Sequence, residues 1–308
     1  MDFINAIEVF KGAWPTIQPA ISTICSAVIA TLFIRKNTSK TEIEKIKQSK
    51  FSDIADLLLA EGHITHLEYY KCRNFVKIAK KADEVYRKVA DKKEPIEKLK
   101  KLIDFDWFVR FFEDSGNISD EAMQDLWASV LAGEVKKPGS FSRRALDVLR
   151  NLSQEDAKLF QEIAQYIIPN GEYYYIYNET QIFSKYGVHF SMILQLDNCG
   201  LMSSQLLDVN KIVGSNITPF LFYTDEFVCR INPLKEDTVI KLPAFFLTRA
   251  GLELHSIIAT SPKKEFLIDV INTLNDNKPY MKGLTVTLHK INYIANSVIN
   301  HEEQPVNA

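Results

Sequence analysis

LWASVLAGEVKKPGSFS, residues Leu126 to Ser142, decides how the middle of this chain folds. Leu126, Trp127, Val130 and Leu131 recur at helical spacing and predict one packed face. Gly133 follows, as a helix exit or a point of close approach, and Pro138-Gly139 then breaks the chain. Ser140 or Ser142 is placed to cap a second helix, with Ala145, Leu146, Val148 and Leu149 on its apolar side. The stretch therefore reads as a joint between two helices. Glu134 is the one residue in it without a clear structural task, and Arg143 or Arg144 is its expected partner. Trp127, Gly133, Glu134, Pro138, Gly139, Arg143 and Arg144 make up the candidate joint or functional set.

Outward from this joint the helical texture continues. Ser119 is placed as an N-cap, with Asp120 and Glu121 at the positive helix end and Ile118 packing on Met123. Downstream, SQED at Ser153 to Asp156 has the capping-box pattern and opens a helix expected through Ile167. Upstream, a helix starting near Pro95 carries Leu99, Ile103, Trp107, Phe108, Phe111 and Phe112, an aromatic density that marks a core. Before it, Leu67, Phe75, Ile78, Ala82, Val85 and Val89 mark one amphipathic helix, and Ile43, Ile46, Ile54, Leu57 and Leu58 mark another.

The carboxy-terminal half changes to short strands. EYYYIY, LLDV, FLFY, FVCRI and TVIKL are rich in β-branched and aromatic residues, and AFFLT leads into TRAGLELHSIIA, where Thr248 is placed to cap a helix. SMILQLDNCGLMS, followed by strands and an LTRAGLEL helix, suggests a winged-helix arrangement. The recognition helix of such an arrangement, His189 to Gly200, carries no Lys or Arg and includes Asp197. Affinity for DNA comes mainly from neutralising phosphates, so sequence-specific DNA binding is not favoured and protein recognition or scaffolding is. A last αβ unit runs from Pro262 to a strand near Leu284 to Leu288, and a loose tail is expected after Asn300.

At the amino terminus, Gly12 to Ile34 carries no charge for 23 residues. As a helix that run spans about 34 Å, against a hydrocarbon core of about 30 Å. Pro15 and Pro19 sit near its start, Trp14 suits the headgroup level, and Arg35, Lys36 and Lys40 follow at once. The expected anchor residues are Trp14, Pro19, Ile34, Arg35 and Lys36, with the bilayer as partner through residues 12–34. The positive-inside rule then places a single-pass protein in the inner membrane with its main body in the cytoplasm. The hydroxylated residues Thr16, Ser22, Thr23, Ser26 and Thr31 leave a second reading open, a buried bundle helix in a cytoplasmic protein.

At 308 residues, 46% hydrophobic and 25% charged, the chain has ordinary globular composition and enough length for two folded units. Residues 35–101 carry 18 Lys+Arg against 11 Asp+Glu, a net +7, whereas residues 102–308 are net −8. In the basic segment the charges are interleaved with acids at helical spacing, the texture of a solvated face. Four separated cysteines form no CxxC pair and fit a reduced main body. His63 and His66, with Glu61 and Glu68, fall short of a convergent metal set. Asp104 and Asp106 are expected to diverge on a helix, and Glu253 with His255 has the same weakness. Ser140 and Ser142 lack a nucleophile-elbow spacing, and neither a Walker loop nor a dinucleotide fingerprint occurs. No catalytic residue, metal or cofactor is assigned.

The stretch from Ile118 to Phe160 resembles a widespread prokaryotic family of unknown function and, more loosely, the Abi-alpha family associated with abortive phage infection. The shared pattern is ISD, LWA-xx-LAGE, Pro-Gly-Ser-Phe-Ser and a Leu-Ser-x-x-Glu-Ala-like helix start, where Asp156-Ala157 replaces Glu-Ala; LTRAGLEL at Leu247 to Leu254 also fits it. The resemblance implies a bacterial cytoplasmic body with a defence role and carries over no catalytic residues. The sequence as a whole predicts a mainly α protein with an α+β carboxy-terminal half. Its expected parts are an anchor over residues 1–38, a helical bundle over 39–152, a winged-helix-like domain over 153–300 and a tail over 301–308. The leading functional reading is a membrane-anchored antiviral component that binds a protein partner or its own copies. A soluble nucleic-acid-binding regulator, and a hydrolase or nuclease with a dispersed active site, are the alternatives.

Overall fold

The computed structural model describes residues 56, 59–62, 64–89, 103–170, 173–178, 180–213, 220–232, 238–258, 260–276, 281, 284–295 and 298–306. The expected anchor, with Trp14, Pro19, Ile34, Arg35 and Lys36, lies outside these residues, as do His63 and the helix start at Pro95. Among the described residues no helix is long and apolar enough to cross a membrane. The chain divides into two compact units, residues 1–150 and 151–308. The first is helical among its described residues and the second contains the sheets, so the chain is mainly α with a sheet-containing carboxy-terminal half.

In the first unit, α1 (His66–Val89) packs mainly against α3 (Glu121–Lys136), with α2 (Phe105–Ser115) beside it and α4 (Arg143–Asn151) closing the chain segment. The aromatics of α2 build the core as their density predicts. Phe75 of α1 meets Phe108 and Phe112 edge-on at 6.0 and 5.0 Å between ring centres, and Trp107 stacks on Phe111 at 5.2 Å. Phe111 in turn meets Trp127 of α3 at 5.2 Å, an arrangement in which ring edges face π clouds. Leu67, expected on the packed face of α1, is instead 62% exposed. It sits in the first turn of α1, three residues after the buried Ile64.

Asp104 caps α2 by accepting from Trp107 N–H at 2.9 Å, and Asp120 caps α3 by accepting from Met123 N–H at 2.9 Å. The cap of α3 was expected one residue earlier, at Ser119. Both positions carry a suitable acceptor, and the backbone at Asp120, extended at φ −64° and ψ 129°, decides between them.

The second unit opens with α5 (Gln154–Ala164), whose capping box between Ser153 and Asp156 is formed as its sequence predicts. The helix stops three residues short of Ile167 because β1 (Ile168–Asn170) begins there. β2 (Tyr173–Tyr177), α6 (Thr180–Lys185), α7 (Phe190–Asn198), β3 (Leu207–Val213), β4 (Phe220–Tyr223), β5 (Phe227–Asn232) and β6 (Thr238–Phe246) follow, then α8 (Arg249–His255), α9 (Lys264–Asp276), β7 (Thr285–Ala295) and β8 (Val298–His301). They form two antiparallel sheets, ordered β1-β2-β6-β3 and β4-β5-β7-β8. The β4-β5 hairpin thus leaves the chain between two strands of the first sheet and joins the second.

α9 covers the second sheet, fixed by Asn275, whose amide donates to the Val286 carbonyl at 2.9 Å while its oxygen accepts from Val286 N–H at 2.8 Å. The tail expected after Asn300 is a strand up to His301, and Glu302 and Val306 still donate backbone hydrogen bonds to Lys290 and Leu288. β8 pairs back on the end of β7, from Ala295↔Val298 to Ile291↔His301, a local hairpin pairing.

Candidate functional site

The sequence places its candidate set at the α3–α4 joint, where the structure brings most of it together. α3 does not end at Gly133 but runs on to Lys136. Gly133 is a point of close approach: a Cβ there would lie 2.7 Å from Cε2 of Phe141, so the missing side chain is what lets the returning ring seat. Trp127 is fully buried one and a half turns earlier, and its indole N–H has no hydrogen-bond acceptor. Gly139 takes φ +85°, which completes the turn after the half-buried Pro138.

Glu134 now has a structural task. It is 1% exposed, and its two carboxylate oxygens accept from the backbone N–H groups of Gly139 and Phe141, the latter at 3.0 Å. A buried carboxylate is tolerated where backbone donors answer it, and here it clamps the connecting loop onto the helix. Ser140 donates its hydroxyl to the Lys137 carbonyl at 2.6 Å, and Ser142 caps α4 by accepting from Ala145 N–H at 3.2 Å.

Arg143 is drawn to Asp104 and Asp106, at 3.2 and 3.1 Å, while Arg144 stands exposed. Asp104 and Asp106, expected to diverge, therefore converge on one guanidinium; Asp104 is a cap outside the regular helix, so periodicity does not fix its direction. All three groups are more than half exposed, which makes this a weak tie in water. A second cluster was not foreseen. Arg150 lies 3.5 Å from Asp114, Arg110 lies 3.9 Å from Asp114, and Arg110 also donates to Asp147, joining α2 to α4. Burial pushes the Asp114 carboxyl above the usual carboxylate range, against the pull of Arg150 and Arg110.

In the second unit the LTRAGLEL stretch builds a joint of its own. Thr248 accepts from Gly251 N–H at 3.0 Å, capping α8, and its hydroxyl donates to the Gly200 carbonyl at 2.6 Å. Gly200, at φ +77°, ends α7, and Thr248 N–H donates to the Leu201 carbonyl at 3.0 Å. A Cβ on Gly251 would sit 1.9 Å from that same Leu201 oxygen, so helix and turn touch through backbone alone.

Beside α8 lies an open cleft of about 230 Å³ whose lining includes Tyr174, Tyr223, Asp225, His255, Ser256 and Ser261. His255, dismissed with Glu253 on sequence spacing, is 9% exposed, packed edge-on against Tyr174 at 5.4 Å and Phe160 at 6.4 Å. Burial lowers its pKa, opposed by the Ala164 carbonyl, and holds the ring neutral. Its Nε2 is sealed from solvent without a hydrogen-bond partner, so it does not present a base to the cleft. Ser256 donates its hydroxyl to the Glu253 carbonyl at 2.6 Å, while Glu253 binds Arg249 at 3.1 Å. This arrangement orders backbone and packs rings. Among the described residues, no group of three or more His, Cys, Asp or Glu side chains converges as a metal site.

Residues 65–271, which run through both joints, match the family described as protein of unknown function (DUF2806). The chain belongs to this family. No curated protein and no solved structure matches it.

Proposed function

We propose that this family member is a membrane-tethered component of bacterial antiviral defence, similar in role to Abi-alpha proteins, which acts by binding a protein rather than by catalysis. The observation that carries the binding part is the outer face of α7. Phe190 and Leu194, one helical turn apart, are 50% and 42% exposed, and Leu206 and Leu207 just before and within β3 are 49% and 45% exposed. Apolar side chains at this density on a surface favour protein contact. A winged-helix reading of the second unit rests on the run α5, β2, α6, α7, β3, β6 and on the strand order β2-β6-β3. In that reading α7 is the recognition helix, and its one charge, Asp197, is taken up by Ser204, which donates to it through backbone and hydroxyl. Such a helix suits a protein surface, not a phosphate backbone.

The tether and the defence role rest on sequence: the uncharged run 12–34 before Arg35 and Lys36, and the LWA-xx-LAGE and PGSFS motifs. The test is phage plating on bacteria expressing the full chain, the chain lacking residues 12–34, and a Phe190→Asp/Leu194→Asp double variant. Protection is expected only from the full chain, with that chain retained in carbonate-washed membranes. Equal plating with and without the full chain ends the defence reading. Undiminished protection by the double variant ends the role of α7, and release by carbonate ends the tether.

A further inference from the structure

The second sheet has two unlike faces. Phe227, Cys229 and Ile231 of β5 and Val286 and Leu288 of β7 alternate onto one face and are buried. In antiparallel pairs, residues opposite one another share a face. Arg230 is paired with Thr287 on one side and Phe220 on the other, Val228 with His289, and Ile291 with His301. The other face therefore gathers Phe220, Arg230, Asn232, Thr287, His289 and His301. It is also concave. Three strand steps separate β4 from β8, about 14 Å in a flat sheet, yet the rings of Phe220 and His301 lie 6.0 Å apart.

The polar groups on this face form an ordered chain. Asn232 donates to the Thr287 hydroxyl at 3.0 Å, and that hydroxyl meets His289 Nε2 at 2.9 Å. His289 Nδ1 lies 2.9 Å from the Glu302 carbonyl, as does His301 Nδ1. A carbonyl only accepts, so both rings carry their proton on Nδ1, and Thr287 donates to His289 Nε2. The two imidazoles stand 4.9 Å apart. Arg230 completes the cluster from β5, and no described residue gives it a hydrogen bond or an ion pair; its Nε is buried with no acceptor. A partly buried guanidinium with no counter-charge is costly to fold, and the missing partner is an anion.

We propose that the concave face of the second sheet binds a phosphate group, with Arg230 supplying the donor fork and His301 Nε2 accepting a hydrogen bond from a protonated phosphate oxygen. The fork matches two oxygens of a tetrahedral oxyanion, and an imidazole nitrogen that accepts suits the P–OH that a phosphate monoanion carries and a carboxylate does not. Among the described residues the face contributes no carboxylate, and Glu302 turns its carbonyl, not its exposed acid, toward the two rings. His289 is held below the ordinary imidazole range by burial first, against the Glu302 carbonyl, and then by His301 and Arg230. It stays neutral and orients the carbonyl that positions His301.

Calorimetric titration of the full-length chain with inorganic phosphate at constant ionic strength tests this, beside flotation with phosphatidylcholine vesicles with and without phosphatidic acid. Saturable phosphate binding is expected, weakened about tenfold or more by Arg230→Gln. His301→Phe, at a half-exposed position, is expected to weaken binding, which keeps the test valid if Arg230→Gln fails to fold. Arg230-dependent capture by phosphatidic acid vesicles without phosphate binding identifies the group as a lipid headgroup. No saturable binding to either probe, or binding unchanged in both variants, overturns the proposal.

Discussion

Each unit of this chain closes around one glycine, and the two glycines meet different neighbours. Gly133 faces the far edge of the Phe141 ring at 2.7 Å, whereas Gly251 faces the Leu201 carbonyl oxygen, 1.9 Å from where a Cβ would stand. A ring at the end of a side chain can pivot by a few tenths of an ångström. A carbonyl fixed by Thr248 N–H cannot, because moving it breaks the turn after α7. The first unit thus has an adjustable joint, fastened by the buried Glu134 carboxylate, and the second a rigid one made of backbone contact. The same contrast runs through their buried ionisable groups. In the first unit Glu134 and Asp114 are answered by backbone donors or arginines; in the second, His255 and His289 are kept neutral.

Substitutions can break this comparison. Gly251→Ala is expected to cost about 3 kcal/mol or more, because α8 has to leave the Leu201 turn, and to speed hydrogen exchange across the second unit. Exchange rates there equal to wild type would show that the contact yields. Glu134→Gln places an amide nitrogen against one of two backbone donors, a loss of about 1–3 kcal/mol in urea unfolding followed by tryptophan fluorescence. All three tryptophans, Trp14, Trp107 and Trp127, fall within residues 1–150, so this signal reports the first unit alone. Gly133→Ala is the smaller counterpart of Gly251→Ala: the clash with Phe141 is offset by about 1 kcal/mol of helix propensity, leaving a net change within about 1 kcal/mol. A loss as large as that of Gly251→Ala would remove the distinction between the joints.

Acid separates the units in sign. His255 and His289 have lowered folded-state pKa values, so the unfolded chain takes up these protons first as pH falls below about 6.5. Their contribution is present above that pH and lost below it, so the protection of second-unit amides, taken against the intrinsic exchange rate at each pH, is expected to fall between about pH 7 and 5. His255→Gln should flatten that slope. Asp114 works the other way: its raised pKa is a cost at neutral pH that protonation relieves, so the tryptophan-monitored transition should not follow the same trend. The smallest effect belongs to the surface of α7. Phe190→Ser with Leu194→Ser should change stability by no more than about 0.5 kcal/mol each while reducing capture of a protein partner.

Local signals carried far in this sequence. The Ser153 capping box, the Thr248 cap, the aromatic core of α2 and the strand segments of the second half all follow from short-range chemistry, and they were legible as such. What was missed depends on partners distant in the chain. Glu134 had no task until the loop returned with Gly139 and Phe141 N–H in reach, and Asp104 met Arg143 because a cap residue departs from helical periodicity. The strand β8 was missed for a different reason: it pairs with the adjoining β7, and four residues before a polar ending carry no alternation long enough to mark a strand. Arg230 and His301 are 71 residues apart in number and share a face only through the register of three strands, β5, β7 and β8.

The sequence by itself determined which segments are helices and strands, where they are capped and where the chain must turn, since these depend on side chains within a few residues of one another. Tertiary structure alone decided which glycine faces a ring and which a carbonyl, which carboxylate is clamped by backbone and which histidines are buried neutral. Those outcomes depend on what a distant segment places nearby: desolvation and hydrogen-bond supply at a buried site belong to the packed neighbourhood, not to the residue.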